Sequence, residues 1–446
     1  MPKRKQAKEE PALSSTTLVI DNGAYTMKAG FANPEPDTEK DCHIIPNCLA
    51  RGKNRHVWIG AQLEKCNDFS EMVFRRPVEK GFMVNWEAEK VIWDNSFFEK
   101  NAKLHCNPRE TNLILTETPN TPQVLQTNCD QIIFEDFEFN AYYRCIAPSL
   151  NAYNDFRAIF GDPLEPKDTN EFSTECMLVI DSGYSHSTVT PIFKGQPFQS
   201  AIRRLDIGGK FLTNYLKDII SVRSYNLIDD TYIVNNIKEA ASFASDDFKS
   251  DLERTWKGGV KNKKDSEQDS LLVDYVLPDY TSHKHGFMKP HEPLSKLKQR
   301  EAAAGLMDID EYSVTLGNER FTGPELLFNP SDVGMKQAGL PELVFQSLSK
   351  LHPGLWPAML SNVVVVGGNS NIKGFKERLE TEIRQLAPAE CMVRVIKAPD
   401  PTRSIWLGGV RLANNPTALK NVIVTREEYQ EYGAGWLARK FRGEID

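Results

Sequence analysis

Asp21 ends the apolar run Leu18-Val19-Ile20, and Asp181 ends the near-identical run Leu178-Val179-Ile180. A turn residue and a glycine follow each one, as Asn22-Gly23 and as Ser182-Gly183. Carboxylates at two strand tips suit the electrostatic handling of phosphate, where positioning rather than covalent chemistry carries the reaction. Lys28, just past the first turn, adds a point charge able to reach phosphates gathered over the hairpin. Gly367-Gly368-Asn369, after the run Val363-Val364-Val365-Val366, adds backbone N–H groups that can approach a nucleotide closely. Taken singly, each has a plainer reading: a buried strand, a solvated lysine, a glycine turn of the kind any α/β protein carries. The repeat of Ile-Asp-turn-Gly lifts them above that background.

The elements that must hold these residues follow from the hydrophobic pattern. Unbroken β-branched runs are what strands buried on both faces need. Asn-Gly or Ser-Gly accepts the φ > 0 of a tight hairpin. Two matched hairpins predict two duplicated domains. Residues 26–32 and 187–192 read as the returning strands, 113–117 as a further buried strand, and 57–60 and 76–81 as short edge elements. Helices are expected at 85–100, 144–154, 211–220, 234–243 and 374–386. Strands alternating with helices predict a layered α/β architecture.

Composition bounds the class. A chain of 446 residues can bury a substantial core and is expected to divide into two or more domains. Hydrophobic residues at 40% and charged residues at 26% describe a globular chain, and a net charge of −7 argues against a protein that is wholly a nucleic-acid clamp. Eight cysteines without a C-x-x-C pair indicate neither a disulfide framework nor a zinc module, which favours a reducing compartment. No run is long and apolar enough to span a bilayer, so no membrane contact is expected. Residues 1–15 are polar and open on Pro2-Lys3-Arg4-Lys5, and are expected to be a disordered tail, either a nuclear address or a solubilising one. Between about 257 and 311 large apolar residues thin out, predicting a loosely structured polar insert with a helix at 294–307. His283, His285 and His291 there lack cysteine or acidic partners at ligand spacing, and no metal site is expected from them.

Together these stretches resemble the actin family. Asp21-Asn22-Gly23 with Lys28-Ala29-Gly30-Phe31 is similar to its first phosphate loop, Asp181-Ser182-Gly183 to its second, and Val366-Gly367-Gly368-Asn369 to its adenosine motif. Pro77-Val78-Glu79-Lys80-Gly81, Leu316-Gly317-Asn318-Glu319-Arg320-Phe321 and Ser404-Ile405-Trp406-Leu407-Gly408-Gly409 resemble stretches particular to actins rather than to the wider clan of sugar kinases and heat-shock chaperones. The resemblance implies the actin fold, an α/β architecture of duplicated ribonuclease-H-like halves around a nucleotide cleft. One half comprises 16–170 and 398–446, with a small subdomain near 43–76; the other comprises 171–397. It also implies which residues would face ATP or ADP, with Mg2+ accompanying the nucleotide. These are Asp21, Asn22, Gly23, Lys28, Gln131, Asp181 and Gly183 at the phosphates, and Gly209, Lys238, Glu239, Gly367, Gly368 and Asn369 at base and ribose.

Departures from that family pattern point away from turnover. Ala24 and Tyr25 stand where actins carry Ser and Gly, removing a hydroxyl and placing a ring where backbone should approach phosphate. Tyr184 and Ser185 replace Asp-Gly, which removes a carboxylate for the metal's water shell, and Thr188 takes the place of a water-ordering histidine. Gln131 is expected to remain as a water-orienting residue without its helpers, and losing such groups costs orders of magnitude in rate. The loop between Ile44 and Trp58 is too short to dock into a following protomer, so no self-filament is expected.

A shortened docking loop, an altered phosphate site, a basic tail and an insert before Val314 resemble a nuclear branch of the family. That resemblance implies a structural subunit of an SWR-type remodeller, which exchanges a variant histone into nucleosomes. The implied partners are the motor ATPase subunit and a HIT-type zinc-finger subunit, with histones or the nucleosome nearby and the insert as a candidate contact. A nucleotide-switched ATPase and a cytoskeletal protein are the alternatives; the three substitutions count against the first, the short loop and basic tail against the second.

Overall fold

One strand pattern occurs twice. β1 (Thr17–Asn22) pairs antiparallel with β2 (Thr26–Phe31) and parallel with β3 (Asn112–Glu117), and β4 (Ala141–Ile146) extends the sheet beyond β3. His43–Pro46 and Val424–Thr425 form its edges. In the second sheet β5 (Cys176–Ser182) pairs antiparallel with β6 (Ser187–Phe193) and parallel with β7 (Val363–Val366). The computed structural model describes residues 13–161, 174–224, 226–257, 271–280, 283–291 and 312–442. The duplication expected from the two Ile-Asp runs is thus present in strand order, and the expected α/β actin fold is the fold observed.

Side-chain alternation explains why the apolar runs are unbroken. Leu18 and Ile20 enter the core of the first half, Leu178 and Ile180 that of the second. Val19 and Val179, on the opposite faces, meet in a shared cluster with Ile114, Val364 and Trp406. Successive strand residues point to opposite faces, so each run must be apolar at every position. The shared layer includes α4 (Ser404–Ala413) and the 3₁₀ segment Ala147–Tyr153, which pack directly on one another. Three further helices bear on the cleft: α1 (Gln123–Gln131), α2 (Gly209–Arg223) and α3 (Thr231–Ala241).

Two local expectations are corrected. Residues 144–154 are not a helix: Arg144 to Ile146 end β4, and the 3₁₀ segment follows. Pairing with β3 along its whole length overrides the small, apolar local composition. Nor is the 257–311 region uniformly loose, since Val273–Val276 and Phe287–Pro290 form a sheet with Ser313–Leu316. The helix expected at 294–307 and most of the 1–15 tail lie outside the described residues. In the small subdomain, Leu49–Arg51 pairs with Val57–Ile59, and the chain reverses between them in a tight turn closed by Gly52 N–H on the His56 carbonyl at 3.1 Å.

Candidate functional site

The two aspartates arrive at the same place. Both sit at the C-terminal tips of their strands, and Asp21 contributes directly to the electrostatics of Asp181. Burial, with Asp21 next, pushes the Asp181 carboxyl up to about 7; Lys28 partly opposes this. Lys28 lies across the hairpin from Asp21, with Nζ 3.5 Å from Oδ2. Asp181 faces Thr188 at the equivalent register position, so the second hairpin has no such cation. Asp21 is further held by the Thr116 hydroxyl, which donates to Oδ1 at 2.9 Å. Gly367 completes the corner: its φ is +90°, and a Cβ there would lie 2.6 Å from Asp181 Oδ1 and 2.4 Å from the Ser182 carbonyl. Only glycine fits.

The expected base and ribose residues also converge, but their polar groups already serve one another. Lys238 Nζ donates to Asn235 Oδ1 at 2.8 Å, Thr213 Oγ1 at 3.1 Å and the Gly209 carbonyl at 3.3 Å. Those are all three of its protons. Burial draws its ammonium down to about 8. Asn369 Nδ2 donates to the Gly183 carbonyl at 2.8 Å and to Ser182 Oγ at 3.1 Å. Glu239 is exposed and accepts from Asn235 Nδ2 at 2.8 Å. At Gly209, an added Cβ would stand 3.3 Å from each of Tyr184 Cδ2, Lys238 Nζ and Asn369 Oδ1. The ring of Tyr184 therefore lies against the glycine.

Tyr25 and Tyr184 meet across the cleft, with ring centroids 4.6 Å apart and planes at 36°. The Arg76 guanidinium lies over both, 4.5 Å from the Tyr25 centroid and 5.4 Å from that of Tyr184. Such stacking is favourable beyond the area it buries. Arg76 Nη1 also donates to the Tyr25 carbonyl at 3.1 Å. The Tyr25 hydroxyl accepts from Asn235 Nδ2 at 3.2 Å, tying the first hairpin to α3. Burial raises the phenol pKa of both tyrosines, so both stay neutral.

Two more seams join the halves. Phe69 stacks on Tyr232 at 4.1 Å and 8°, and Glu71 N–H donates to Asp230 Oδ1 at 3.1 Å. Elsewhere, Arg204 Nη2 donates to the Lys80 carbonyl at 2.7 Å while its guanidinium covers Phe82. His186 wedges beside Gly81 there, with a buried Nδ1 that has no partner among the described residues. Burial, and then the Arg204 charge, hold its imidazole down at about 3.

Gln131 is the expected site residue that the structure leaves out. It is exposed at the C-terminal end of α1. Its neighbour Asp130 turns inward and accepts from Arg144 Nε at 2.9 Å, whereas Gln131 stands on the outer face of the helix. Level with Thr116 and Glu117, β4 instead carries Cys145 and Ile146, which offer nothing to orient a water. Sequence reasoning missed Arg76, Asn235 and Tyr232. No local motif marks them: Arg76 and Tyr232 meet rings brought from far along the chain, and Asn235 links its helix neighbours Lys238 and Glu239 to the distant Tyr25.

The comparisons agree with this architecture. The actin family model matches residues 12–442. The chain is 51% identical to "Actin-like protein arp6" of Aspergillus fumigatus, covering 97% of this chain and 96% of that protein. "Actin-related protein 6" of Neurospora crassa is also 51% identical, over 97% of this chain and 95% of that one. "Actin-related protein 6" of Drosophila melanogaster is 34% identical, over 94% and 98%. A duplicated sheet, paired strand-tip aspartates and similarity along nearly the whole length make this chain a member of the actin family.

Proposed function

We propose that this protein is a non-catalytic, structural member of the actin family in the nucleus. It serves an SWR-type remodeller that exchanges a variant histone into nucleosomes. Its partners are the motor ATPase subunit and a HIT-type zinc-finger subunit, with histones or the nucleosome nearby. The observation that carries the reading is the Tyr25–Tyr184 pair, which joins the two turns that follow Asp21 and Asp181. A magnesium-bound triphosphate does not fit residues so placed, because one ring rests on Gly209 and the protons of Lys238 are already committed. ATP or ADP binds that corner weakly at most and is not turned over. A body that keeps its fold while losing its chemistry is kept for what it holds together. Similarity to proteins named actin-related protein 6, across fungi and fly, supports the choice of branch.

Affinity purification of the tagged full chain from nuclear extract tests the assignment. Remodeller subunits, including the motor, are the expected partners; an exclusively cytoskeletal set contradicts it. The tight turn at Gly52–His56 leaves no loop to reach a second copy. Sedimentation with magnesium and salt is therefore expected to leave the protein in the supernatant, and a pelleted polymer contradicts that.

A further inference from the structure

A cavity of about 360 Å3 opens where the small subdomain meets the second half. Phe69, Phe74 and Tyr232 line its walls as a stacked group, and Tyr25 joins the lining. Two cations, Arg76 and Lys284, share that lining, and neither forms an ion pair among the described residues. Arg76 Nη1 donates only to the carbonyls of Tyr25 at 3.1 Å and Asn47 at 3.4 Å, and Lys284 Nζ to Asn67 Oδ1 at 2.6 Å. Glu64 is the one acidic lining residue, so the recess carries a net positive charge. Aromatic walls beside two cations that have no ion-pair partner among the described residues match a flat, π-rich group that bears an anion. The size sits at the small end of ligand cavities, roughly 300–1,000 Å3.

We propose that this cavity binds a planar aromatic anion of the nucleoside-monophosphate class. Its ring lies against Tyr232 and Phe74, and its anionic group lies between Arg76 and Lys284. Tyr25 lines the site whereas Asp21 and Asp181 do not, and the site needs no magnesium. This rests on the reading above in one respect: the Tyr25–Tyr184 pair stays closed and separates the two places.

AMP titrated into the full chain in EDTA, followed by intrinsic fluorescence, tests this. Saturable binding below about 1 mM is expected. Lys284 is exposed, so Lys284→Glu leaves folding intact and is expected to weaken AMP about tenfold; Asp181→Ala leaves AMP binding unchanged. Absence of saturable binding, or indifference to Lys284→Glu, overturns this proposal alone. Binding that requires magnesium and disappears in Asp181→Ala places the nucleotide at the phosphate loops, which overturns both this proposal and the proposed function.

Discussion

At the scale of single residues, the paired tyrosines do the most. Their rings, the overlying guanidinium and the Asn235 hydrogen bond tie Tyr25 of the first half to Tyr184 and α3 of the second. A double-mutant cycle of Tyr25→Ala and Tyr184→Ala, read by denaturant unfolding, is expected to give a coupling of about 1 kcal/mol. Additive effects would mean the rings do not act as a pair. Glu89 makes a second prediction. It is fully buried beneath the first hairpin, accepting from Trp93 Nε1 at 2.9 Å, and burial pushes its carboxyl up to about 7. Its ordinary value is 4.5. Between those values the folded state holds a proton the unfolded chain has released, so stability falls as pH rises through that window. Glu89→Gln is expected to flatten the slope measured by unfolding between pH 5 and about 8, stabilising at the alkaline end and changing little at the acid end. Asp181 and Glu117, raised in the same direction, keep part of the slope. The aspartates and Gly367-Gly368 could be read from the chain because each depends on its immediate neighbours. Gln131 was misread because its role depends on which face of α1 is buried, and there Asp130 turns inward while Gln131 is exposed.

At the scale of elements, the small subdomain is fastened rather than hinged freely. Phe69 on Tyr232, Glu71 on Asp230 and Lys284 on Asn67 all cross from residues 43–76 to the second half. Amide exchange reports such local opening directly. Tyr232→Ala is expected to speed exchange across 43–76 while leaving β1 and β5 protected, and added magnesium-ATP is expected to change neither. Slow exchange in the variant would show that other contacts hold the seam. The paired hairpins were legible because a turn and its two strands are local and carry their own signals. The strands at 273–276 and 287–290 were not, since they are short, flanked by polar sequence, and stabilised by pairing across an intervening polar segment. Arg144 was misassigned for a related reason: β4 is defined by its partner β3, not by its own composition.

For the whole molecule, duplication made the architecture readable from sequence, because two copies of one strand-turn motif constrain each other where one would not. What sequence alone left open was the state of the cleft. Three separate seams close it, at Tyr25–Tyr184, at Phe69–Tyr232 and at Arg204 over Phe82, and together they hold two halves that share one apolar layer. On the proposed reading, an actin body fastened in this way offers partners a surface of fixed shape without a nucleotide cycle. Single-turnover phosphate release from magnesium-ATP by the purified chain tests that account most directly. No release above the protein-free control is expected, for the wild-type chain and for Asp181→Ala alike; release at the pace of a filament-forming actin, lost in Asp181→Ala, would contradict it.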